Sequence, residues 1–171
     1  GTGFTNADAD SLVQVTAGRS VTMDAGSWAM GSIENRGTLT LTNGEIDYGT
    51  VANYGTLNLN EGLFTNLTND ALGTVNLNAD YTLDGGIGWT NNGTVYNNNI
   101  LTVSAYKTLG KFYNGGEVRL GYVQGESDAN FGDQFQNYID ETDTGIVTVL
   151  AGAAIIPLIG GPAAAAGGAV Q

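Results

Sequence analysis

A unit of eighteen to twenty residues recurs along this chain, and no other feature restricts its fold as strongly. GTLTLTNGE at 37–45 is followed eighteen residues later by GTLNLNEG at 55–62. Set in register on the glycine that opens each short strand, six lines appear, on Gly18, Gly37, Gly55, Gly73, Gly93 and Gly116, with spacings of 19, 18, 18, 20 and 23. The middle of the series is tight and its ends are loose. Residues alternate within each line, as in a strand with one buried face. Leu39/Leu41, Leu57/Leu59, Val75/Leu77 and Val118/Leu120 would turn inward. Thr38, Thr56, Thr74 and Thr94 would turn outward as a ladder. Val21, Met23 and Val95 extend the two inward columns, with Asn97 an exception. The residue four before the glycine is also apolar in most lines (Ile33, Val51, Trp89, Phe112) and turns a second strand inward. Asn recurs two before it (Asn35, Asn53, Asn91, Asn114) and reads as a turn marker, because Asn tolerates left-handed backbone and bonds to nearby main chain.

The repeat is too short for a helix–turn–helix unit or a propeller blade. An antiparallel sandwich also gives short alternating strands with Gly/Asn turns, but matched neighbours around four glycines favour a solenoid. The expected fold is all-β: a single-stranded β-solenoid of about six coils, with about 4.8 Å of axial rise per coil. The line at 89–111 is irregular, and an insertion or bulge is expected there. The N-x-G-T-L-x-L lines resemble repeats in the passenger regions of autotransporters and haemagglutinin-type adhesins, and the β-helices of phage tail spikes and fibres. The resemblance spans 13–123. It implies the fold class and an exposed, extended role, and it carries over no functional residue.

Four segments follow: a polar cap at 1–12, the solenoid at 13–126, a short helical cap at 127–143 and an apolar Gly/Ala/Pro-rich arm at 144–171. Phe131, Phe135, Tyr138 and Ile139 have the spacing of one helix face, with Asp128 or Asn130 as its cap. Such a helix would cover the open end of the stack. The arm has no charge after Asp143. Its glycines, two prolines and missing basic flanks disfavour a membrane span. Ile146, Val147, Val149, Leu150, Ile155, Ile156, Leu158 and Ile159 are its candidate contacts, with copies of this chain or with a virion shell protein; packing on its own solenoid is the alternative.

Chemistry is scarce. There is no Cys and no His, and net charge is −12 with five basic residues, so clustered phosphate-binding cations are missing and a nucleic-acid partner is not expected. No cofactor and no metal site are expected. Asn6, Asp8 and Asp10 have the spacing that opens a calcium loop, but the loop's glycine and distal glutamate are missing, and a capping turn is favoured. Lys107, Lys111 and Arg119 are the candidate bases for a polysaccharide lyase, without a matching carboxylate ladder. Glu34, Glu45, Asp47, Glu61, Asp70, Asp80 and Asp84 are scattered and form no hydrolase pair. The chain begins at Gly1 without Met, which suggests processing: loss of an initiator Met or removal of a signal peptide.

The expected role is therefore a non-enzymatic structural subunit of a multi-copy surface assembly joined through the arm. The virion surface (capsid decoration or fibre) ranks first and an extracellular cellular filament or adhesin second. Ice binding by the Thr ladder, or glycan binding by the many tyrosines, ranks below both.

Overall fold

The computed structural model describes residues 4–84, 86–103, 107–108, 111–120, 128–130, 135–136, 146–149, 154–156 and 169–170, with side chains for 4–84, 86–103 and 111–119. It is a β-solenoid of about six coils, and every strand pairing is parallel. Each coil has three walls. The first carries Leu12–Val15, Ser32–Asn35, the ends of Gly44–Asn53 and Gly62–Asn69, then Gly88–Asn91 and Lys107–Thr108. The second stacks Ser20–Met23, Thr38–Leu41, Thr56–Leu59, Thr74–Leu77, Thr94–Asn97 and Lys111–Asn114. The third begins with Thr5–Asn6 against Trp28–Ala29 and continues through the starts of Gly44–Asn53 and Gly62–Asn69. These two long strands turn the corner unbroken, with a register shift between Ile46 and Thr50, so the first and third walls form one sheet there. From Tyr81–Leu83 upward the third wall is a separate sheet, with Ile100–Val103, Glu117–Leu120 and Ile146–Val149.

Alternation puts the apolar residues inside. Leu39, Leu57, Val75 and Val95 lie directly over one another on the second wall, as do Leu41, Leu59 and Leu77; none is more than 1% exposed. Ile33, Val51, Leu67 and Trp89 stack on the first wall. Thr38, Thr56, Thr74 and Thr94 stack in register outside.

The upper coils depart from the expected register. Phe112, not Val118, lies over Val95, and Asn114, not Leu120, lies over Asn97. Val118 and Leu120 belong to the third wall, paired with Leu101 and Val103. The 23-residue spacing before Gly116 is one coil of 17, from Thr94 to Lys111, plus the six-residue step from the second wall to the third. No insertion is needed at 89–111. At the bottom, Ser20 pairs with Thr38, so Arg19 and not Gly18 occupies the column of Gly37.

The recurring asparagines are core residues as well as turn residues. Asn35, Asn53, Asn69 and Asn91 stack at the corner between first and second walls, at most 3% exposed. Each of the first three donates from Nδ2 to Oδ1 of the next at 2.7 Å. The amides also cap main chain: Asn35 donates to Thr56 O and Asn53 to Thr74 O, while Gly37 N donates back to Asn35 Oδ1. A buried corner has carbonyls that no strand partner reaches, and this ladder satisfies them. A second, shorter ladder joins Asn97 to Asn114 at 2.7 Å at the next corner. Asn97 lies over Leu77, which offers no donor, and its Oδ1 has no partner.

In the segment expected to be helical, Asp128–Asn130 and Phe135–Gln136 are strands. Phe131, Tyr138 and Ile139 lie outside the described residues. In the arm, Ile146–Val149 pairs with Glu117–Leu120, Ala154–Ile156 with Asp128–Asn130, and Ala169–Val170 with Ile146–Val147, all within the chain. Leu150, Leu158 and Ile159 lie outside the described residues. Among the described residues no helix is long and apolar enough to cross a membrane.

Candidate functional site

The outer face of the second wall carries two columns stacked in register. Its first column is Ser20, Thr38, Thr56, Thr74, Thr94 and Lys111; its second is Thr22, Thr40, Asn58, Asn76, Tyr96 and Tyr113. Both columns are uncharged up to Lys111, on a chain of net charge −12. The second column is tied along the axis: Asn76 Nδ2 donates to Asn58 Oδ1 at 2.8 Å, and Asn58 Nδ2 to Thr40 Oγ1 at 3.2 Å. A third polar line, Asn60, Asn78 and Asn98, runs beside it with the same amide-to-amide bonding. Tyr96 and Tyr113 stack with centroids 5.0 Å apart and planes 18° apart. Rings stacked along the axis turn edges and hydroxyls outward, so they offer a flat ligand little ring face.

The paired charges sit elsewhere. Arg36 bonds Glu34 at 2.7 Å and lies 4.5 Å over the Tyr54 ring; Arg119 bonds Glu117 at 2.9 Å. The three candidate bases fall on three different walls, Lys107 on the first, Lys111 on the second and Arg119 on the third. The carboxylates serve corners: Asp84 Oδ1 accepts Gly86 N, Asp70 Oδ1 accepts Leu72 N, and Asp80 Oδ1 accepts Ile100 N. Among the described residues no three metal-ligating side chains gather. Asn6 and Asp8 form a turn, accepting Asp8 N and Asp10 N, and Ser11 Oγ closes it by donating to Asn6 Oδ1 at 2.7 Å.

One concavity lies on the third wall, at the seam where Gly62–Phe64 and Tyr81–Leu83 are not paired. It has a volume of about 280 Å³ and is lined by Gly62, Leu63, Phe64, Asp80, Tyr81, Thr82 and Ile87. The two strands alternate alike: Leu63 and Thr82 face out, Leu63 at 66% exposure, while Phe64 and Leu83 face in and Tyr81 packs against the core in the place of Gly62. Phe64 contacts both Tyr81 and Trp89, with ring centroids 6.1 and 6.4 Å away. The Tyr81 hydroxyl is buried without a partner. Burial, with a smaller contribution from the Glu61 charge, pushes the phenol up to about 12. In the sequence Tyr81 is one of eight tyrosines, with nothing to single it out. Of the other tyrosines, Tyr48 is 75% exposed at the bulged corner, and Tyr106 and Tyr122 lie outside the described residues.

No protein-family model matches this chain, and no curated protein and no solved structure is significantly similar to it.

Proposed function

We propose that this chain is a non-enzymatic structural subunit of a multi-copy surface assembly, with the virion surface (capsid decoration or fibre) as its setting and an extracellular cellular filament as the alternative. One observation carries the reading. The apolar stretch after Asp143 supplies a strand, Ile146–Val149, that joins the solenoid by parallel pairing with Glu117–Leu120. Strand addition of this kind works equally between copies, because main-chain bonds supply the affinity. The ladder-built body suits the role: it is a stack of coils joined strand to strand along one axis. The test is light-scattering mass with negative-stain imaging of the full chain and of a chain ending at Asp143. Regular oligomers from the first and a folded monomer from the second support the proposal. Identical monomers mean that the apolar stretch serves its own solenoid only.

A second reading, a surface that binds ice or a neutral glycan, is favoured by the uncharged Ser/Thr/Asn columns of the second wall. Thermal hysteresis of the wild type, lost in Thr56→Val with unchanged melting, would support it over the assembly role.

A further inference from the structure

Most corner glycines here are set by the coil beneath them. Gly37, Gly55, Gly73 and Gly93 form one column, each immediately before a threonine of the outward ladder. A Cβ on any of them would come closer than 3.0 Å to a carbonyl oxygen of the previous coil: Arg19, Gly37, Asn53 and Gly73, respectively. Gly31 and Gly49 form a second column at the corner leading into the first wall. There a Cβ would meet the Ser11 and Gly31 carbonyls at the same range. These carbonyls are fixed, since Arg19 O accepts Thr38 N and Ser11 O accepts Ser32 N.

Followed downward, both columns end on a residue that has a side chain. Arg19 stands below Gly37, because Ser20 pairs with Thr38, and Ser11 stands below Gly31, because Leu12 pairs with Ser32. The glycines that the first coil does have serve a different purpose. Gly18 and Gly26 have φ of 73° and 86°, and nothing lies within 4 Å of a Cβ on either. They are glycine for their conformation, not for a close approach. Among the described residues no strand pairs with the lower edges of Leu12–Val15 and Ser20–Met23. The third wall is finished differently. Thr5–Asn6 lies against Trp28–Ala29, and Phe4 N donates to Ser27 Oγ at 3.0 Å.

We infer that the first coil is a closed end: the Cβ atoms of Ser11 and Arg19 occupy the space that the backbone of a coil stacked beneath would need. Open strand edges invite pairing with another chain, and here two of the three corners are blocked against it. The surface therefore accepts no further coil in register, whether from the same chain or from another copy. Copies that assemble do so through other surfaces. The inference stands on the corner geometry and holds whether or not the chain assembles.

The test adds a coil to the full-length protein. A second copy of residues 31–48 is inserted between Asp10 and Ser11, so that Ser11 and Arg19 fall where glycine is needed. Three versions are compared: unaltered, Ser11→Ala with Arg19→Ala, and Ser11→Gly with Arg19→Gly. The double glycine variant without the insert serves as the folding control. The glycine version is expected to melt cooperatively at or above the parent's temperature and to protect the inserted coil from protease. The unaltered and alanine versions are expected to melt lower, with the insert cleaved. Equal behaviour of all three, or failure of all three with a folded control, overturns the inference. So does an alanine version as stable as the glycine one, since the block would then lie in the arginine's charge or length and not in Cβ.

Discussion

At the residue scale, the buried amides matter more than their turn-like context suggests. Asn53 accepts from Asn35 and donates to Asn69 Oδ1, with Thr74 O and Gly55 O also in reach of its Nδ2. Asn53→Ala removes the amide, taking the Oδ1 acceptor from Asn35 Nδ2 below and the donor from Asn69 Oδ1 and Thr74 O above. A loss on the order of 3 kcal/mol in denaturant unfolding is expected, because stranded buried groups cost about 1–3 kcal/mol each. A loss below about 1 kcal/mol would mean that water takes over the bonds. Tyr81 is the opposite case, a buried hydroxyl with nothing to bond. Its ordinary value of 10.0 is pushed up to about 12 in the folded state. The unfolded chain therefore ionises first, so stability is whole below about pH 10 and falls as pH rises toward 12. Tyr81→Phe should melt no lower than the parent at neutral pH and lose less stability over that alkaline range. A variant that declines as steeply as the parent would rule Tyr81 out as the source. The Asn columns show why residue roles were only half legible. A solvated turn and a buried corner both call for Asn beside Gly, and the sequence displays the same letters for each. The available clue was constancy: Asn35 and Asn53 keep the same spacing as the core leucines.

At the element scale, strand positions were legible and wall assignments were not. TLTL, TLNL and TVNL alternate with a constant spacing, and the structure stacks them as that spacing predicts. EVRL at 117–120 alternates equally well but belongs to another wall. Period two labels a strand as half-buried on any wall of a solenoid, so the pattern cannot say which one. In the segment 127–143, where helical spacing was read, the described residues are strands. Phe131, Phe135, Tyr138 and Ile139 suggested one helix face, yet Phe135–Gln136 pairs with Phe112–Tyr113 as a strand. Apolar residues in a short window can satisfy both periods. The strongest element-level prediction concerns Leu57, fully enclosed in the second wall at 1% exposure. Leu57→Asp should abolish the folding transition, because it buries an unpaired charge between Leu39 and Val75. Thr56→Val, one residue away and outward, should shift stability by about 0.5 kcal/mol or less. An unchanged melting temperature in Leu57→Asp would refute the inward register of this strand.

At the scale of the whole molecule, the coil is the unit of both structure and energy. Each coil contacts its neighbours through register-matched strands, so stability accumulates as nearest-neighbour terms. Removing a coil should then be tolerated if the cut respects the register. Deleting residues 37–54 joins Arg36 to Gly55, and Gly55 already occupies the column of Gly37. Asn35 would then meet Asn69 in the buried ladder, and Leu39's place over Val21 would pass to Leu57. The shortened chain is expected to keep a β-rich circular dichroism spectrum and a single cooperative melt, at a lower temperature than the parent. Deleting 37–45 instead removes half a coil and puts second-wall residues against third-wall ones, and that variant should not fold. The contrast tests the repeat itself. If both deletions unfold the protein, the stack is one indivisible cooperative body, and its coils are not interchangeable despite their matched geometry.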